Sequence, residues 1–171
     1  MNLLLRLALL LFSVRRREPL SIWDTAVTPF RVAPTDLDYL RHMNNSKYLA
    51  IMDLGRMDLM LRSGFWDTIT EQGWYPVVAG QTITYRSSLT LGQRFELRTR
   101  VLGMDERWIY MEQTFVRGEA IVAQAVVRAR FLRREGGSVA VSDVMEALGG
   151  EPRVPDLPEW VSPWSEQTRV P

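Results

Sequence analysis

The segment Asp36-Leu37-Asp38-Tyr39-Leu40-Arg41-His42-Met43-Asn44-Asn45-Ser46-Lys47-Tyr48 holds two carboxylates, the only histidine of the chain and two adjacent asparagines. It stands directly before a long helical pattern. The first turn of a helix carries unpaired backbone N–H groups at the positive end of its dipole, a place where negative charge is stabilised. An acyl carbonyl under attack becomes a tetrahedral oxyanion, which such amides can hold. A carboxylate on the lead-in loop can take a proton from water or attack the carbonyl itself. Plainer roles are also open: Asp36 or Asn44 can cap a helix, and His42 can serve as a hydrogen-bonding residue.

Composition narrows the alternatives. The chain has 171 residues, 46% of them apolar, which suits one domain with a real core. The absence of cysteine removes thiol nucleophiles, disulfides and thiolate-bound metals. Lys47 is the only lysine, so a Schiff-base mechanism has one candidate, and no phosphate-binding glycine loop or G-x-S-x-G turn occurs. Asp36, Asp38 and His42 are crowded into one loop without a further histidine to complete a metal site, and none is expected. A formal net charge of +1 argues against nucleic acid as a partner.

The elements that must position the loop follow from periodicity. Phe30 to Ala33 reads as a short strand closed by Pro34. Tyr48, Ile51, Met52, Gly55 and Leu59 share a helix face, with Gly55 marking close backbone packing and Ser63-Gly64 the stop. Val77 to Ser87 is strand-like. In Gln93 to Leu102, Phe95, Leu97, Thr99 and Val101 alternate with charged residues. Arg107 to Val116 and Ala120 to Arg133 complete an antiparallel meander. The last strand has one apolar face, with Ile121, Ala123, Ala125, Val127, Ala129 and Phe131. Its other face carries Val122, Gln124, Val126, Arg128 and Arg130 and reads as partly wetted or subunit-facing. One long helix against such a sheet is an α+β plan, the hotdog, in which an antiparallel sheet wraps a central helix. A single helix covers that sheet incompletely, so a homodimer or homotetramer is expected.

Three regions are expected: an apolar and basic arm over residues 1–20, the main domain over 21–150, and a proline- and tryptophan-rich tail over 151–171. Ser142 to Leu148 reads as a short helix capped by Ser142 or Asp143, and the tail from Glu151 as an irregular surface arm. Leu3 to Phe12, interrupted by Arg6 and followed by Arg15-Arg16-Arg17, is too short to span a bilayer. Residues 3–17 suit either a helix on a membrane surface or an arm packed on the domain or a partner subunit.

The pattern of Asp36, Asp38, His42, Asn44, Asn45 and Tyr48, with Phe30-Arg31-Val32 before it, resembles the active-site signature of the hydroxybenzoyl-CoA thioesterase family of hotdog proteins. Leu37 to Leu49, Thr99 to Asp105 and Pro155-Asp156-Leu157-Pro158 are similar to the branch related to thioesterase superfamily member six. The resemblance implies Asp38 as base or nucleophile, Asp36 and Tyr48 beside the substrate, and His42 orienting the thioester. Asn44 and Asn45 would shape the turn that presents the helix amides. It also implies an acyl-CoA or acyl-carrier thioester as substrate and no cofactor, coenzyme A entering only as part of the substrate. Arg86 and Ser87, at the end of the second strand, are candidates for its phosphates, as are Arg128, Arg130, Arg133 and Arg134. The expected activity is thioester hydrolysis in the cytoplasm, with residues 3–17 resting on the inner face of a membrane. The rival is a hotdog module that binds acyl chains or acyl carriers without turnover.

Overall fold

The structure, a computed structural model, describes residues 3–149 and 154–169. Helix α1 (Leu3–Val14) is followed by strand β1 (Ala26–Arg31), a 3-10 turn at Pro34–Asp36, and helix α2 (Asn45–Arg62). A short helix α3 (Phe65–Glu71) leads into β2 (Trp74–Tyr85), β3 (Arg94–Met104), β4 (Ile109–Arg117) and β5 (Ala120–Arg133). Helices α4 (Val141–Ala147) and α5 (Val161–Gln167) close the described chain. The sheet runs β1-β3-β4-β5-β2, with every neighbouring pair antiparallel. It wraps α2 in the hotdog arrangement expected from the sequence.

The helix lies close on the sheet because Gly55 lacks a side chain. A Cβ there would stand 2.5 Å from Leu97 Cδ2 and 2.7 Å from Thr99 Oγ1. Beside it the buried Gln113 amide donates to Met52 O at 2.9 Å and Thr99 Oγ1 at 3.0 Å, and its Oε1 accepts from Arg56 Nη1 at 2.6 Å. This polar bridge is satisfied on both ends, as a buried amide must be. Around it, Phe95, Leu97, Phe115, Ala123, Ala125 and Val127 pack against Tyr48, Ile51 and Met52. The alternation of β3 thus puts Phe95, Leu97, Thr99 and Val101 inside.

Several expectations are corrected. β1 begins at Ala26 and ends at Arg31, upstream of the stretch predicted. Pro29 is tolerated within it because β1 is an edge strand, paired only with β3. α4 is preceded by Ala140, which offers no side-chain cap, so neither Ser142 nor Asp143 has that role. The tail forms α5 and buries Val161 and Ser165 against the outer side of the sheet. It thereby covers Val126 and Arg128, on the β5 face expected to be partly wetted or subunit-facing, with Val161, Leu157 and Trp164 in the contact. Residues 151–153 lie outside the described residues.

At the other end of the chain, α1 packs along α2 with Arg6 and Leu10 inward. Its Leu4, Leu5, Leu9 and Phe12 remain exposed. Among the described residues no helix is long and apolar enough to cross a membrane.

Candidate active site

The loop before α2 is a tight reversal tied to the sheet. Leu37 bridges Met43, and His42 bridges Thr90 in the connection between β2 and β3. Inside it, Asp38 N–H donates to His42 O at 2.8 Å, and Arg41 N–H donates to Asp38 O at 3.0 Å. Arg41 has φ of 61°, the one positive value among the described non-glycine residues. A left-handed residue with a Cβ costs about 1–2 kcal/mol, so something must hold it. The Asp38 side chain does so: Oδ1 accepts from Leu40 N–H at 2.8 Å and from His42 N–H at 3.2 Å, bracketing Arg41. Among the described residues Asp38 Oδ2 accepts no hydrogen bond. One carboxylate oxygen therefore shapes the turn, and the other is open to chemistry.

The loop ends at a capped helix. Asn44 Oδ1 accepts from Ser46 N–H at 2.9 Å and from the Ser46 hydroxyl at 2.8 Å, so its side chain is the N-cap of α2. Lys47 N–H donates to Asn44 O at 2.8 Å. The N–H of Asn45 has no acceptor among the described residues, leaving one first-turn amide available for an oxyanion. Asn45 and His42 are both exposed, and the loop tip is apolar and bare, with Tyr39 91% and Leu40 58% exposed.

The remaining predicted residues take distinct positions at this end of the fold. Asp36 is buried; its carboxylate accepts from Arg6 of α1 and from Ala33 N–H, the latter at 2.8 Å. Tyr48 is buried edge-on against Phe115 and Tyr85, ring centres 4.9 and 5.1 Å away. Desolvation raises the pKa of its hydroxyl, partly offset by a hydrogen bond with the Leu89 backbone. Arg86 and Ser87 are exposed, and both main-chain N–H groups donate to Val122 O, at 2.8 and 3.2 Å. Arg128 is corrected as a phosphate contact. It is buried between Trp108 and Trp164, 5.0 and 5.6 Å from their ring centres, and donates to Ser165. Among the described residues no three metal-ligating side chains converge.

Sequence reasoning missed Arg6. It was read as an interruption in an apolar run, and it is instead the side chain that reaches the loop. Its partner lies thirty positions away, so no local pattern marks the pair. An apolar cavity of about 190 Å³ also lies under α2, lined by Met57, Met60, Val78, Ile109, Met111 and Phe131. Its nearest α2 residue to the loop, Asp53, stands about 12 Å along the helix from Asn45.

Comparison with known proteins bears on the family and the fold. The model of the thioesterase-like superfamily matches residues 32–165. Protein THEM6 of Xenopus laevis is 38% identical over 78% of this chain and 63% of its own length. A probable thioesterase of Saccharomyces cerevisiae is 25% identical over 74% of this chain and 54% of its own. The chain thus spans less than two thirds of the length of each of these two relatives. Among solved structures, the probable thioesterase YbaW of Escherichia coli superposes with a TM-score of 0.67 at 21% identity, covering 71% of this chain and 95% of that one. A gentisyl-coenzyme A thioesterase superposes with a TM-score of 0.64 at 15% identity, covering 71% and 99%. At those identities the superpositions speak for the hotdog fold alone, while the family match carries the kinship: the chain belongs to the thioesterase-like superfamily.

Proposed function

We propose that the protein hydrolyses acyl-CoA thioesters, with Asp38 as the base and the amino end of α2 as the oxyanion site. The observation that carries this reading is the division of labour in one carboxylate. Oδ1 fixes the turn, while Oδ2 is open on the loop that enters a helix whose Asn45 N–H is open too. Oδ2 takes a proton from water as the water oxygen bonds to the thioester carbon, and the carbonyl electrons move to the carbonyl oxygen, held by the Asn45 N–H at the amino end of α2. Collapse breaks the C–S bond, and the thiolate leaves, to be protonated as free coenzyme A. Direct attack by Asp38 would pass through an anhydride; where water opens it at the Asp38 carbon, one solvent oxygen stays in the protein carboxylate, and single turnover in heavy-oxygen water detects that label.

Asp38→Asn is a clean test because an amide oxygen can still accept from Leu40 and His42. The turn survives and the base is lost. Thiol release from a panel of short, medium, long and aromatic acyl-CoAs is expected to fall at least about a hundredfold, in line with general-base contributions. Native turnover in that variant would sink the assignment. Saturable binding of acyl-CoA without any product from the native chain would favour the binding module.

The isolated chain leaves this site half enclosed. The loop tip is bare, the apolar cavity opens farther along α2, and the edge strand β2 exposes Tyr75, Val78 and Tyr85. These features support a second copy of the chain as the missing wall, with the acyl group in the cavity and Arg86 near the coenzyme A phosphates. The outward Leu4, Leu5, Leu9 and Phe12 of α1, followed by Arg15 and Arg16, support contact with an anionic membrane surface from the cytoplasmic side. Leu9→Glu with Phe12→Glu is expected to abolish co-sedimentation with anionic vesicles. An intact protein that stays in the supernatant would remove the idea.

A further inference from the structure

The guanidinium of Arg6 ends inside the domain, 4% exposed, although α1 lies far from the loop in sequence. Its Nη2 donates to the Asp36 carboxylate and, at 3.2 Å, to the main-chain oxygen of Arg31. The same group lies 5.9 Å from the ring centre of Phe30. All three partners belong to the end of β1 and the 3-10 turn, the stretch that delivers the loop to its place. Asp36 then passes the constraint on. Its carboxylate accepts from Ala33 N–H at 2.8 Å, closing the turn, and its main-chain oxygen accepts from Asn44 N–H at 2.8 Å. Asn44 caps α2 and precedes the open amide of Asn45; Asp38 lies two residues beyond Asp36. A continuous set of bonds therefore joins α1 to both groups the proposed reaction uses.

We infer that Arg6 is a positioning residue for the hydrolytic loop, so that turnover depends on the docking of α1. The inference rests on the thioester-hydrolase reading above. Without Arg6, the Asp36 carboxylate and the Arg31 main-chain oxygen each lose a buried donor, and the turn that Asp36 closes can shift. A displacement near 1 Å at reacting groups is enough to cost about a hundredfold in rate. Arg6 reaches both acceptors through Nη2, while its Nε and Nη1 find no acceptor among the described residues, so a lysine ammonium can keep the charge contact while losing the guanidinium's reach and stacking on Phe30.

The test compares Arg6→Gln and Arg6→Lys with the native full-length chain, using the acyl-CoA turned over best. Arg6→Gln is expected to lower kcat at least about tenfold while KM changes less than about threefold, the pattern of lost alignment rather than lost binding. Arg6→Lys is expected to recover part of the loss. Amide hydrogen exchange supplies a readout independent of activity. The Asn44 and His42 amides should exchange faster in Arg6→Gln, while β4 amides keep native protection. Native kcat with native exchange in Arg6→Gln would overturn the inference. So would protection lost equally in β4, which makes Arg6 a residue of general stability. If the native chain turns over no thioester, the hydrolase reading fails, and the exchange contrast alone decides whether Arg6 orders the loop.

Discussion

The two ends of the chain both dock on the hotdog domain through buried arginine, and they do so in opposite senses. At the amino end the arginines belong to the arm and the acceptors to the body. Arg6 meets Asp36, and Arg17 meets both oxygens of Asp58 at 2.8 Å. At the carboxyl end the arginine belongs to the sheet. Arg128 of β5 lies between Trp108 and Trp164 and donates to Ser165 Oγ at 3.0 Å, with no carboxylate partner among the described residues. The first contact is charge balanced and bonded to the turn that leads to Asp38. The second is a cation held by rings and neutral oxygens on the opposite side of the sheet. The difference separates an arm that aligns the site from a cover that closes a surface.

The strongest way to break this comparison is at Asp58. It is fully buried on α2 and accepts from Arg17 and from the Thr28 hydroxyl, with Arg62 at 3.6 Å. Asp58→Ala leaves two inward arginines without their counter-charge, and loss of one member of a buried pair costs about 3–5 kcal/mol. Urea unfolding should show a drop of that size. A change below about 1 kcal/mol would be typical of a surface pair and would mean that the arm is not held by charge.

Arg128→Ala probes the other end with a smaller cost. It removes hydrogen bonds from a charged donor, worth about 1.5–3 kcal/mol, together with its stacking on two rings. The thermal midpoint should fall and limited proteolysis should cut ahead of α5, yet kcat measured well below the midpoint should stay native. If Arg128→Ala lowers kcat as Arg6→Gln is expected to, the carboxyl-terminal cover aligns the site as the amino-terminal arm does.

This contrast was only partly legible in the sequence. The β3 alternation, the small-residue face of β5 and the position of Gly55 are local signals, and each corresponds to what the structure shows. The catalytic candidates were visible because they are contiguous from Asp36 to Tyr48, with the Asn44 cap at its expected place. Arg6 was not, for a physical reason. Leu3 to Phe12 is apolar on all sides, so periodicity assigns it no inner face, and its single charge reads as a defect until a buried carboxylate thirty residues away is in view. The outer face of β5 was misread by the same blindness. Val126 and Arg128 read as partly wetted or subunit-facing until Val161, Trp164 and Ser165 arrive from the tail of the same chain.

The finest distinction between the two ends concerns pH. Tyr110 of β4 is buried beneath the tail, and its hydroxyl donates to Asp105 Oδ2 at 2.6 Å and stands 2.8 Å from Ser165 Oγ. Burial is the main cause that raises its pKa from 10.0 to about 12, with the Asp105 hydrogen bond acting in the same direction and Ser165 and Arg128 against it. The fold thus favours the protonated phenol. That stability is fully present below the unfolded value of 10.0 and is lost as pH rises through about 12. Tyr110→Phe removes the hydroxyl at a cost of about 1 kcal/mol below that window, because Asp105 Oδ1 still accepts from Arg107 and Trp108 N–H at 2.8 and 2.7 Å. Thermal midpoints of the two proteins should therefore converge as pH is raised from 10 toward 12. Parallel curves across that range would show that the tail is insensitive to the phenol, and would leave Arg128 and its two tryptophans as the contact that holds it.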